Sequence, residues 1–201
     1  MLCCRNGVPG KELQRQMRIR IGSSRKAAPY LYTAVVEAAR APAFYRDLGV
    51  PDTIEGRYEM IVLHVVLLIR RLRAADSRQD RSRQDRLAQA IVDFMASDLD
   101  RSIRELGVGD LSVGKFMKRL GEGLYGRAQA YDTALDANDM AALEEALLRN
   151  IYDGYEPPEG ALTAIAHHVR AQQDYLAGQP TETIVAGTVN FLAPTDMNRG
   201  A

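Results

Sequence analysis

The stretch from Asp52 to Arg73, DTIEGRYEMIVLHVVLLIRRLR, constrains the fold more than any other part of the chain. Asp52 followed three residues later by Glu55 has the capping-box arrangement, with Pro51 just outside, so a helix is expected to begin there. Tyr58, Ile61, Val62, Val65, Leu68, Ile69 and Leu72 recur at helical spacing, while Met60, Leu63, Val66 and Leu67 fill the opposite side. A helix that is apolar all round has to be buried in protein or in lipid. The unbroken apolar part, Met60 to Ile69, includes His64 and is about half the roughly twenty residues that a spanning helix needs. The segment therefore reads as the central helix of a water-soluble bundle.

A chain of 201 residues with 46% hydrophobic residues has enough material for one domain with its own core. Cys3 and Cys4 are adjacent, so they neither cross-link distant segments nor supply spaced zinc ligands, and they suit a reducing compartment. The formal net charge of +0 hides an asymmetry. Residues 1–26 hold seven basic residues against Glu12 alone, a net +6, whereas 131–160 hold eight acidic residues against Arg149 alone, a net −7. Such polarity can orient a protein on an anionic surface, although ordinary solvated faces would carry the same charges. No apolar segment follows the basic N-terminus as a secretory signal would require, because Glu37 and Arg40 interrupt the first apolar stretch. The arginine-rich start would suit a mitochondrial transit peptide. An arginine bias that leaves only Lys11, Lys26, Lys115 and Lys118 points instead to a bacterial source.

From Ala27 onward, helical periodicity is broken by short Gly, Pro or Asp punctuation, and no convincing alternating strand is found. The expected fold is all-α, a single bundle of about six main helices. Its organisation is a basic leader (1–26), a helical domain (27–178) and a short irregular tail (179–201). A first helix is expected from about Tyr30 to Arg40, broken by Pro42 before a short turn of helix that Gly49 closes. After the central helix, Ser77 to Arg86 repeats SRQDR twice and reads as an exposed connector or a polar helical extension. The next helix is expected from near Asp85 to Gly107, with Leu87, Ile91, Phe94, Met95, Leu99, Ile103 and Leu106 inward. Another starts at Asp110 or Ser112 and carries a stripe through Leu124, Ala128, Tyr131 and Leu135. Two more span Asp139 to Asn150 and Ala161 to Ala177. In the tail, TIVAGTVNFLA is compatible with a short strand, an extended strap or a frayed helix.

Motifs with a chemical reading are few. GEGLYG, Gly121 to Gly126, fits the dinucleotide-binding pattern, with Glu144 and Glu145 about twenty residues on. That mechanism needs a strand before the glycines, and here VGKFMKRL is helical and its stripe continues through them. The glycines are read instead as places where another helix approaches closely. His64 stands one turn from Met60, so the two could reach a haem iron together, but a buried histidine bonded to the backbone or a carboxylate is the simpler reading. His167 and His168 point about 100° apart and form no facing pair. No metal site, nucleophile triad or P-loop is present in the pattern, and nothing argues for catalysis.

The cluster Arg70, Arg71, Arg73, Arg78, Arg81, Arg83 and Arg86 could neutralise phosphates of RNA, which leaves an RNA- or ribosome-binding module as the alternative function. Asp76, Asp80 and Asp85 are interleaved with it, so an ion-paired connector is favoured, and no aromatic residue is present for base stacking. Near the N-terminus, Lys11, Leu13, Arg15, Met17, Arg18, Arg20 and Ile21 make an apolar stripe with arginines around it, a membrane-surface signature.

Three blocks carry a family likeness: APAFYRDLGVPDTIEGRYEMIVLHVVLLIRRLR, LAQAIVDFMASDLDRSIRELGVGDLSVGKFMKRL and YGRAQAYDTAL. In order and spacing they resemble the ubiquinol-cytochrome c chaperone family, over roughly Ala34 to Gly178. Mitochondrial members of that family hold newly made cytochrome b near the ribosome and the membrane until it enters respiratory complex III. The resemblance implies a helical, non-enzymatic assembly chaperone without a cofactor, with cytochrome b as client, the ribosome and a membrane surface as further partners, and no specific DNA. It implies a location on the inner face of a bacterial cytoplasmic membrane, with the mitochondrial matrix as alternative. Client contact is expected at the polar turn after the third long helix and its flanks, Asp98, Arg101, Arg104, Glu105, Asp110 and Lys115, with Arg57 and Glu59 near the central helix. Each of these side chains would equally serve as a cap or a salt bridge.

Overall fold

A computed structural model describes residues 26–74, 78–105 and 110–194, with the side chains of 78–80 and 110–122 outside the description. The described residues are helical throughout their regular structure, and no strand occurs among them. Helix α1 covers 26–39. It is followed by α2 (Pro42–Arg46), α3 (Ile54–Arg73), α4 (Arg78–Glu105), α5 (Asp110–Asp136), α6 (Met140–Ile151), α7 (Ala161–Ala177) and α8 (Thr181–Ala186). The all-α reading holds.

Helix α3 is the axis of the bundle and packs against α4, α5, α6 and α7. Met60, Val62, Leu63, Val65, Leu67 and Leu68 are all buried, although they point to every side of the helix. This is what a helix apolar all round requires when protein surrounds it. The residue that starts it differs from the expected one. Thr53, with extended backbone, caps α3 by accepting from the Gly56 amide (3.0 Å), and Asp52 turns outward to pair with Arg57 (2.5 Å). The Pro51 carbonyl crosses so close to Gly56 that a Cβ there would collide with it. The hydroxyl of Thr53 is the group left within reach of the first-turn amides.

Two other boundaries move. Helix α1 begins four residues before Tyr30, burying Ala27 and Ala28 and leaving the Tyr30 ring 70% exposed. Helix α4 begins at Arg78, seven residues before Asp85, so the SRQDR duplication lies inside a helix from its first arginine on. It contains no helix breaker, and it is continuous with the buried positions Gln84, Leu87, Ala88 and Ile91. On this helix Phe94 is 38% exposed. It lies one position off the Leu87–Ile91–Met95 row and packs edge-on against Tyr32 of α1, with ring centroids 5.5 Å apart. The turn 106–109, including Leu106, lies outside the described residues.

Helix α5 runs through GEGLYG without interruption, so these glycines form no phosphate cradle. Nor do the describable ones admit a neighbouring helix. A Cβ on Gly126 would meet nothing, and one on Gly123 would meet the guanidinium of Arg127 on its own helix.

Two of the three arginines ending α3 are tied to other helices of the bundle, while Arg73 is exposed. Arg70 pairs with Asp132 (3.2 Å) and Asp136 of α5, in place of the aspartates nearer in sequence. Arg71 donates to the Leu176 carbonyl (2.9 Å), the Gln179 carbonyl (2.7 Å) and Thr181 Oγ1 (2.8 Å), satisfying carbonyls that the end of α7 leaves without intrahelical partners. The cluster read as an RNA-binding alternative thereby loses two of its charges to the fold.

Residues 181–194, placed in the short irregular tail by sequence, form α8 and then an extended strap, one of the conformations left open for this segment. Ile184, Val185 and Val189 join the core. Gly187 turns the chain beside Ala27 at φ 106°, a backbone conformation that favours glycine. Gln179 and Asn190 bond in both directions, and the Leu192 amide donates to the buried Gln172 Oε1 (2.7 Å).

Candidate functional site

An open cleft of about 640 Å3 lies between the start of α3, the C-terminal halves of α4 and α5, and the end of α6 with the loop after it. Its floor is an ion pair. Arg127 Nε donates to Glu59 Oε2 (2.6 Å) and Arg127 Nη2 to Glu59 Oε1 (2.5 Å), a bidentate pair in which the glutamate is almost wholly buried. Arg127 also lies 5.9 Å from the centre of the Tyr58 ring. The absence of a side chain at Gly123 is what leaves Arg127 room to reach across. Burial pushes the Glu59 carboxyl up from its ordinary range, opposed by the charge and hydrogen bonds of Arg127. Burial likewise pushes the Tyr58 phenol up to about 12. The pair neutralises itself, so the floor is polar with little net charge.

The rim is of another kind. Ile54 and Tyr155 stand 51% and 56% exposed, with Leu99 beside them and the carboxylates of Glu55 and Asp153 facing water. Arg149 leans toward Glu145 on its own helix (3.9 Å). The rim therefore mixes apolar side chains with two carboxylates, over a polar floor that neutralises itself.

Of the residues expected at a client surface, the structure brings Glu59 to this cleft, and Asp98 precedes the lining residue Leu99. Asp98 accepts from the Tyr32 hydroxyl (3.2 Å) and pairs with Arg101. Arg104 pairs with Asp100 one turn away (2.7 Å), and Glu105 is exposed at the end of α4. Arg57 lies apart, with Asp52, in a second hollow lined by Arg40 and Tyr45. Asp110 opens α5 and Lys115 follows on it, their side chains outside the description. The membrane-surface set Lys11, Leu13, Arg15, Met17, Arg18, Arg20 and Ile21 lies outside the described residues. No helix among the described residues is long and apolar enough to cross a membrane.

Sequence reasoning missed Arg127, Gly123, Ile54, Glu55, Asp153 and Tyr155. One signal for Arg127 was present: an arginine between Leu124, Ala128 and Tyr131 of the inward stripe needs a buried anion. Which carboxylate answers it, 68 positions away, is not written locally.

His64 sits away from the cleft, in an aromatic cluster. Its Nδ1–H donates to the Met60 carbonyl (2.8 Å), and its ring meets Phe44 and the strap residue Phe191 edge-on at 5.7 and 5.5 Å. His168 packs on the other side of Phe44 at 5.3 Å. Burial holds His64 down at about 4, so it is a neutral core side chain at physiological pH. Among the described residues, no group of three or more His, Cys, Asp or Glu is placed to hold a metal ion.

The described residues thus form an all-helical bundle with an open, half-apolar cleft over a buried ion pair. Residues 46–191 match the family described as ubiquinol-cytochrome C chaperone, and the chain belongs to that family. It is similar to the crystal structure of the Cbp3 homolog from Brucella abortus. That likeness has 37% sequence identity and a TM-score of 0.74, and covers 90% of this chain and 96% of that one. Ubiquinol-cytochrome c reductase complex assembly factor 1 of Mus musculus is 25% identical over 159 residues, covering 79% of this chain and 52% of that protein. Protein CBP3, mitochondrial, of Saccharomyces cerevisiae is 27% identical over 157 residues, covering 77% and 45%. The chain thus spans about half the length of these mouse and yeast relatives.

Proposed function

We propose that this protein is a non-enzymatic assembly chaperone of the ubiquinol–cytochrome c reductase complex, and that its client is newly made cytochrome b. The observation that carries this reading is the family match over 46–191, which contains every helix lining the cleft. The cleft supports it, because a chaperone needs an open surface that holds apolar chain reversibly, with no buried charge left unpaired when the client departs. The proposed location is the cytoplasmic face of a bacterial inner membrane, with the basic leader making the membrane contact. Ribosome contact during client synthesis belongs to the same proposal.

The test is deletion. Without the protein, cytochrome b and the assembled complex should fall while unrelated membrane proteins stay level, because an unprotected apolar client is lost to aggregation or proteolysis. Normal cytochrome b in the deletion strain removes the assignment. Charge reversal at Arg104 or Lys115 should reproduce part of the loss with the chaperone still folded. Normal levels in these point variants alone would leave the function standing and move the contact surface elsewhere.

A further inference from the structure

The charges around the cleft are unequally occupied. The lining holds three carboxylates, Glu55, Glu59 and Asp153, against two guanidiniums: Arg127, held by two hydrogen bonds to Glu59, and the exposed Arg149, 3.9 Å from Glu145 on its own helix. Glu55 and Asp153 line the same cleft, are exposed to water, and have no ion pair among the described residues. The open cleft therefore presents a negative field next to the apolar side chains of Ile54, Leu99 and Tyr155. The Asp153 charge also reaches the floor, where it adds to burial in pushing the Glu59 carboxyl up. A cation entering beside Asp153 would relieve that repulsion, whereas an anion would add to it.

From this charge complementarity we infer that the cleft takes a polypeptide segment carrying one arginine or lysine between apolar side chains. The cation lies between Glu55 and Asp153, and its apolar neighbours cover Ile54 and Leu99. Tyr155, half exposed at the rim, offers a ring face for a guanidinium. A volume of about 640 Å3 lies within the range of roughly 300–1,000 Å3 for ligand pockets, so it holds a few side chains and not a folded domain. This inference rests on the chaperone reading and names the chemistry that the site selects. Basic residues flanking an apolar run mark the ends of membrane segments, so the cleft would select the boundary of such a segment and not its middle.

The test uses the full chain and two fluorescein-labelled short peptides of leucine, phenylalanine and serine that differ only at the centre, arginine in one and glutamine in the other. Exposed ion pairs contribute little singly, so two together should make the arginine peptide bind about tenfold more tightly at low salt. High salt should erase the difference. The double variant Glu55→Gln, Asp153→Asn, both at exposed positions, should bind the two peptides equally. Ile54→Ser should weaken both alike. Equal binding of the two peptides by the unaltered protein, or an arginine preference that survives the double variant, overturns the inference. So does competition by free arginine amide at the peptide's own concentration, since that would make the site one for a small cation. The peptide result is read without measuring any assembled complex. A cleft indifferent to charge would leave the assembly function standing, and normal cytochrome b in the deletion strain would remove that function whatever the peptides do.

Discussion

Glu59 and Arg127 show how much a single pair of side chains decides here. With the carboxylate almost wholly buried, removing the arginine strands a charge that its surroundings do not solvate. Arg127→Gln should therefore cost roughly 3–5 kcal/mol in urea unfolding, and Glu59→Gln with Arg127→Gln together should cost less than the two single changes added. The glycines of α5 extend the same experiment. Gly126→Ala enters open space and should stabilise by about 0.5–1 kcal/mol through helix propensity. Gly123→Ala should gain less or lose, because its methyl occupies the place of the Arg127 guanidinium. His64 supplies a pH dependence of defined sign. Its folded pKa of about 4 lies below the ordinary 6.5, so protonation favours the unfolded chain. The stability it contributes is complete above pH 6.5 and is lost as pH falls toward about 4. Between pH 7 and pH 5 the loss should be roughly 2 kcal/mol, and His64→Gln should flatten that slope. His168, also held down by burial, acts in the same direction.

At the scale of elements, one side chain of α3, Arg71, ties together the end of α7 and the start of α8. Arg71 reaches Leu176, Gln179 and Thr181 at once from two nitrogens, Nε and Nη2, a planar spread of donors that a single ammonium nitrogen does not reproduce. Arg71→Lys should therefore loosen 177–192 while leaving α3 to α6 intact. Hydrogen exchange should rise at the amides of Thr183, Ile184 and Leu192 and stay unchanged in the middle of α3. Uniform exchange across the chain would mean that the strap is held by its apolar side chains Ile184, Val185 and Val189 alone. The continuation of α4 back to Arg78 belongs to this scale too. A polar repeat with no breaker joins a helix whose stability comes from the apolar row beyond it.

For the whole molecule, the distribution of charge along the chain predicts orientation. The leader carries a net +6, and the acidic stretch 131–160 supplies the Asp153 rim of the cleft. Attachment to anionic lipid through the leader is the orientation that these charges favour. Vesicle sedimentation should show the full chain binding anionic lipid more strongly than a chain starting at Ala27, with a difference that shrinks as salt rises. Equal sedimentation of both would place the membrane contact elsewhere.

The sequence by itself determined the all-helical class, the central place of α3 and the span of α7, because 3.6-residue apolar periodicity and its punctuation are local properties. It determined equally that GEGLYG is helical, since the stripe passes through it. The three blocks were also enough for the family. Cap identity escaped it: Asp52 and Thr53 are both good caps, and the choice fell to the path of Pro51 over Gly56. The site escaped it more completely. Glu59 was singled out for its charge on the central helix, but Arg127, Glu55, Asp153 and Tyr155 become neighbours only when α3, α5 and the loop after α6 meet. Pairings such as Arg127 with Glu59 or Arg70 with Asp132 join residues more than sixty positions apart. A buried charge dictates that some partner exists, while the packing of helices chooses which one, and that choice is made by tertiary structure alone.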